Sequence, residues 1–116
     1  MPRNMSFALT TEQFKNRTKT VTRRLGWWFL KPGDVICGVE KCRGLKKGEK
    51  IKRLGLIEIV SVRKEQLCEI TKEDCLAEGF PNLSVNEFGY MFCKEMNVKP
   101  DVWVNRIEFK HVGDLI

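Results

Sequence analysis

The run from Leu54 to Val62, LGLIEIVSV, is the strongest strand signal in the chain. Its β-branched and aliphatic side chains read as a strand. A second run, Val102 to Val112, alternates, with Val102, Val104, Arg106, Glu108 and Lys110 set against Trp103, Ile107 and Phe109. It reads as a closing strand. A chain of 116 residues committed to two such strands forms one domain, residues 1–116, with a core large enough to need no metal or disulfide.

The remaining segments fill in around them. Ser6 to Leu9 reads as a short strand, and the Thr10/Gln13 spacing of a capping box predicts a short helix through Phe14 to about Asn16. Thr18, Thr20, Val21 and Thr22 resist helix and read as strand. Lys31-Pro32-Gly33-Asp34 is a turn leading into a strand with Val35, Ile36 and Val39, and Gly44 to Lys50 is a basic loop at a hairpin tip. Two helices follow. Thr71 starts one, and Ser84 with Glu87 caps another that carries Phe88, Met91, Phe92 and Met96 at core spacing. The expected architecture is α+β: a small curled sheet or barrel with two or three short helices.

Charge divides the chain. Lys15 to Arg53 holds 13 Lys/Arg against three acids, a local +10, whereas Leu54 to the end holds 7 against 11, a local −4. Polyphosphate, RNA or DNA is the natural partner of the first half. No amphipathic basic helix offers itself to a lipid surface, so a membrane partner is not expected. Five cysteines lack the spacing of a zinc site and read as free, buried thiols of a reducing cytoplasm. Nothing implies a cofactor, and the oligomeric state is not legible.

The functional signal is RTKTVTRRLGWWFLK, which sets Arg17, Lys19, Arg23, Arg24 and Lys31 beside Trp27 and Trp28. Cations that attract phosphate and rings that stack on bases are the parts of a nucleotide or nucleic-acid site. The alternative is a solvated basic strand followed by core tryptophans. In an extended chain the two tryptophans face opposite ways, one to the core and one free to stack. Lys46 and Lys47 in the basic loop either contact phosphate or make a soluble tip.

Lys19 and Thr22 also have catalytic potential. A neutral lysine amine can deprotonate a threonine hydroxyl and make it a nucleophile. Neighbouring Lys15, Arg17, Arg23 and Arg24 would push the Lys19 pKa down, toward that neutral form. On a regular strand positions 19 and 22 face opposite sides, so their cooperation requires a bulge or a strand end.

The segment FALTTEQFKNRTKTVTRRLGWWFLKPGD resembles the ASCH domain family, with Lys19-Thr20-Val21-Thr22-Arg23-Arg24 matching a Lys-Thr-x-Thr-x-Arg motif and Gly33-Asp34 a Gly-Asp turn. ITKEDCLAEGFPNLSVNEF resembles the family's acidic helix ending at Glu78-Gly79-Phe80, and RIEFKHV its closing strand. The chain departs from the pattern at Asn16-Arg17-Thr18, where a glycine is usual, and in the inserted loop Gly44 to Lys50. The resemblance implies a PUA-like β-barrel with flanking helices. It also implies RNA association, by kinship with PUA, EVE and YTH domains. One bacterial branch is an amidohydrolase of N4-acetylcytidine whose lysine, threonine and glutamate fall on Lys19, Thr22 and Glu78.

The leading expectation is therefore a cytoplasmic domain whose basic cleft takes RNA, a nucleotide or a modified nucleoside. The alternative is an amidohydrolase using Lys19, Thr22 and Glu78, which requires one pocket joining the three side chains. A protein-interaction module would instead show an uninterrupted apolar surface.

Overall fold

A computed structural model describes residues 2–41 and 45–113. The order is β1 (Arg3–Ser6), a 3-10 turn (Ala8–Thr10), α1 (Thr11–Lys15), β2 (Val21–Arg24), β3 (Val35–Val39) and β4 (Arg53–Gln66). A second 3-10 turn (Leu67–Glu69), α2 (Lys72–Ala77), α3 (Val85–Met96) and β5 (Trp103–Gly113) complete it. The strands form one sheet in the order β1-β3-β4-β5-β2. Only the β1–β3 pair is parallel. Among the described residues no helix is long and apolar enough to cross a membrane.

The sheet is covered on both faces, and β5 shows why its sequence pattern misleads. Ile107 and Phe109 enter the curled interior with Met5, Phe7, Phe14, Leu30, Ile36, Ile57 and Ile59. Val104, of the opposite parity, packs under the helices with Leu67, Ile70, Cys75, Phe88 and Phe92. Val104 is thus fully buried, whereas Trp103 is 50% exposed at the strand's start. The alternation of β5 thus serves two half-faces, because the helical layer covers only the first part of the strand.

The long strands, the turn at Lys31 and the caps of α2 and α3 form as expected. The Thr71 hydroxyl accepts from Asp74 N, and Ser84 and Glu87 close a reciprocal capping box. Three local expectations are corrected. The first strand ends at Ser6, because Phe7 turns out of extended geometry into the 3-10 turn. Thr10 makes no capping bond; instead the Thr11 hydroxyl donates to Phe7 O at 2.9 Å. The expected strand from Thr18 begins only at Val21, since Arg17 adopts a left-handed φ of 65° and Thr18 N and Oγ1 both donate to Asn16 Oδ1. The basic loop closes where Glu49 N donates to Lys46 O and Lys46 N donates to Glu49 Oε1, while its first residue, Gly44, and Cys42 lie outside the described residues. Of the thiols expected to be buried, Cys37 and Cys75 are, whereas Cys68 is exposed.

Candidate functional site

The two edge strands, β1 and β2, do not pair with each other. Arg24, at the end of β2, spans the seam: its Nη2 donates to Ser6 O at 2.6 Å, and its guanidinium lies 4.8 Å from the centre of the Phe7 ring. A cavity of about 170 Å³ opens along this seam. Lys19, Thr22, Arg23, Arg24 and Glu78 line one side, and Phe80, Phe88 and Met91 are among the residues of its apolar wall. An apolar cavity of about 150 Å³ is large enough to take up benzene. This one has room for a single ring.

Lys19 reaches the cavity because it precedes the strand. Thr20 still offers its carbonyl to Phe109 N, but its N–H already bonds Ala77 O at 2.8 Å. The chain leaves the sheet for the end of α2 at that point, so Lys19 escapes strand alternation and shares the cavity with Thr22. The strand end required by the sequence is present. His111 Nε2 donates to Lys19 O (2.9 Å) and fixes the backbone there.

Glu78 owes its position to a helix stop. Phe80 N bonds Cys75 O and Gly79 N bonds Leu76 O, with Gly79 at φ +100°, which is the Schellman pattern. Although it stands at a helix end, Glu78 is only 3% exposed. Its Oε1 and its backbone carbonyl both accept from Lys19 Nζ, at 2.6 and 2.8 Å. Lys19 is itself 2% exposed. Burial pushes its pKa below the ordinary lysine value, Glu78 opposes the shift, and Arg24 and Arg23 add to it. The dominant cause is burial rather than the neighbouring charges the sequence suggested.

Behind this pair stands a network in which Arg23 pairs with acids from the second half of the chain. Arg23 Nη1 donates to Glu78 Oε2 (3.2 Å), and Nη2 donates to Glu65 Oε2 (2.8 Å) and to Asp74 Oδ2. Arg106 forms a two-pronged bond to Asp74 at 2.9 and 3.0 Å. Arg23 Nε is the one buried side-chain polar atom without a partner among the described residues. Thr22 Oγ1 accepts from Arg24 Nε at 3.1 Å.

The other candidate residues lie elsewhere. Arg17, Lys31, Lys46 and Lys47 are not part of the cavity lining. Trp27, at φ 59° after Gly26, packs against the interior core, and Trp28 is 52% exposed. A reversing turn, not strand alternation, separates the two rings. Trp103 and Lys64, not among the candidate site residues of the sequence, stand beside Trp28: Lys64 Nζ is 5.6 Å from the Trp28 ring centre and 5.4 Å from that of Trp103. Among the described residues no cluster of His, Cys, Asp and Glu has metal-site geometry.

No family model matches the sequence, and no curated protein matches it either. Solved structures do match. The ASCH domain from Lactobacillus crispatus JV V101 superposes with a TM-score of 0.68 at 18% identity, over 96% of this chain and 79% of that one. This is an ASCH-like fold. Protein EF3133 from Enterococcus faecalis V583, of the family model DUF984, superposes at 0.71 with 17% identity over 99% and 82% of the two chains. The hypothetical protein PH0355 gives 0.67 at 18% identity over 97% and 100%. The ASCH-like sheet, curled and flanked by short helices, is the α+β, PUA-like architecture the sequence implied.

Proposed function

We propose that the seam cavity holds one nucleobase-sized ring and that Lys19, Thr22 and Glu78 hydrolyse an amide on it, as in deacylation of an N4-acetylcytidine-like nucleoside. The observation that carries this reading is the meeting of the three side chains in one cavity of about 170 Å³, with Lys19 buried against Glu78. The apolar wall suits a flat ring, and a site for one ring suits a nucleoside better than a run of stacked bases.

The chemistry begins once Lys19 has lost a proton to solvent, which leaves a neutral amine beside the Glu78 carboxylate. Burial, which holds Lys19 below its ordinary pKa, favours the neutral amine. The amine then takes the Thr22 hydroxyl proton as Oγ1 bonds the acyl carbon. The carbon–nitrogen bond breaks, and the proton that Lys19 took from Thr22 passes through Glu78 to the departing amine nitrogen. Neutral Lys19 and the Glu78 carboxylate are thereby restored, and water hydrolyses the acyl-threonine ester. Arg24 Nε, donating to Thr22 Oγ1, stabilises negative charge growing on that oxygen.

A second reading, a binding site without catalysis, draws support from one specific fact. Lys19 Nζ donates to Glu78 and Thr22 Oγ1 accepts from Arg24, so base and nucleophile are not hydrogen-bonded to each other. Incubating the protein with N4-acetylcytidine separates the two. Release of cytidine and acetate that is lost in Lys19→Ala and Thr22→Ala supports the enzyme. Saturable binding with no turnover supports the reader.

A further inference from the structure

We propose that Trp28, Lys64 and Trp103 form a second ligand site, outside the cavity, which binds a nucleotide of a single-stranded nucleic acid through its phosphate and base. The site is a cation held between two half-exposed indoles. Lys64 Nζ faces both ring centres at under 6 Å, the range in which a ring's π-face attracts a cation. Next in the chain to Trp28, exposed Phe29 carries the Arg3 guanidinium at 4.7 Å. Among the described residues neither Lys64 nor Arg3 has a carboxylate partner. Lys19, Arg23, Arg63, Arg106 and Lys110 all do. Positive charge at this rim is therefore available to an anion, and it sits against rings available for stacking.

The platform is built rather than incidental. Gly26 and Trp27, both at positive φ, reverse the chain so that Trp27 anchors in the core while Trp28 projects. Buried Asn105 locks that turn by donating to Trp27 O at 2.9 Å. Asn105 is also the cross-strand partner of Arg24 on one side and of Lys64 on the other. Arg24 at the cavity, Asn105 and Lys64 thus form one row on one face of three adjacent strands, spanning about 10 Å at the usual strand spacing. Phosphate on Lys64 and a base on an indole is the pairing that single-stranded nucleic-acid sites use.

Quenching of intrinsic tryptophan fluorescence by an RNA octamer of cytidylate, with cytidine monophosphate alongside, tests this at low salt on the full chain. The octamer is expected to quench and to bind more tightly than the mononucleotide. Trp28→Ala and Trp103→Ala are each expected to weaken it about fivefold or more, and Trp28→Phe to retain binding. Lys64→Ala should flatten the slope of log affinity against log salt by about 0.7, the share of one phosphate on a single strand, and Lys64→Arg should restore it. Absence of octamer binding, or equal affinity across all these variants, overturns the proposal. The readout uses unmodified RNA, so lack of amide turnover leaves this result standing, and loss of octamer binding leaves the turnover result standing.

Discussion

Arg23 and Arg106 stand directly opposite each other on β2 and β5, and both guanidinium groups close on the single carboxylate of Asp74. Like charges across a strand pair repel. Asp74, in the first turn of α2, reverses the sign of that relationship and fastens the helix to the sheet. Glu78 lies four residues on, on the same side of α2, and takes a third contact from Arg23. The acid beside Lys19 is therefore positioned by a network that also holds the helix.

Removing Asp74 should be costly. Asp74→Ala leaves two buried or half-buried guanidinium groups facing each other without their shared anion, and we expect a loss of about 3–5 kcal/mol. Urea unfolding, read as the midpoint at unchanged slope, measures it. A loss below about 1 kcal/mol would mean that solvent, rather than Asp74, balances the two arginines.

The same carboxylate sets the acid sensitivity of the fold. The bond from Arg106, helped by Arg23 and opposed by burial, holds Asp74 well below the usual carboxylate range. As pH falls, the unfolded chain takes up this proton before the native one does. The Asp74 contribution is thus complete above the ordinary carboxylate pKa and is lost below it, by up to about 1.4 kcal/mol per pH unit. Unfolding midpoints measured from pH 7 down to pH 2 should fall more steeply for the wild type than for Asp74→Ala. Parallel curves would remove Asp74 from the acid transition.

Much of this was legible in the sequence, and the limits have physical causes. β4, the α3 capping box and the Glu78-Gly79-Phe80 stop are local patterns, written within a few residues of where they act. The motif Lys19 to Arg24 was visible too, as was its need for a strand end. What supplies that end, the left-handed Arg17, is a conformation that non-glycine residues rarely adopt and sequence patterns do not flag. Arg23, Glu65, Asp74 and Arg106 meet from positions up to 83 residues apart, and nothing local couples them. Trp103 shares the parity of Ile107 and Phe109, which are buried, so nothing local marks it as exposed. Only the end of the strand, beyond the cover of the core, leaves it free beside Lys64.

If Lys19 is the base, activity should follow its ionisation. Turnover of N4-acetylcytidine is expected to rise with pH along a limb centred below the ordinary lysine value, because burial favours the neutral amine. Glu78 holds the proton on Lys19, so Glu78→Gln should shift that limb to lower pH while cutting the plateau about 10²–10⁴-fold. Lys19→Arg keeps the positive charge but cannot lose it near neutrality, and should be folded and inactive. A profile unchanged in Glu78→Gln would assign the base to another group.

Two glycines give opposite expectations from one substitution. At Gly79 an added Cβ would lie 2.8 Å from Gln13 Cβ and Cγ, on a backbone at φ +100° that L-residues avoid. Gly79→Ala should cost about 1–3 kcal/mol through strain, and more once the contact with Gln13 is included. Because the turn at Gly79 aims Glu78 at Lys19, turnover should fall further than the lost folded fraction explains. Gly89, inside α3, meets nothing within 4 Å, so Gly89→Ala should add about 0.5–1 kcal/mol by favouring helix. Thermal unfolding of both variants, with turnover assayed where each remains folded, compares the two positions. Equal tolerance at both would show that the helix stop after Glu78 does not set the site's geometry.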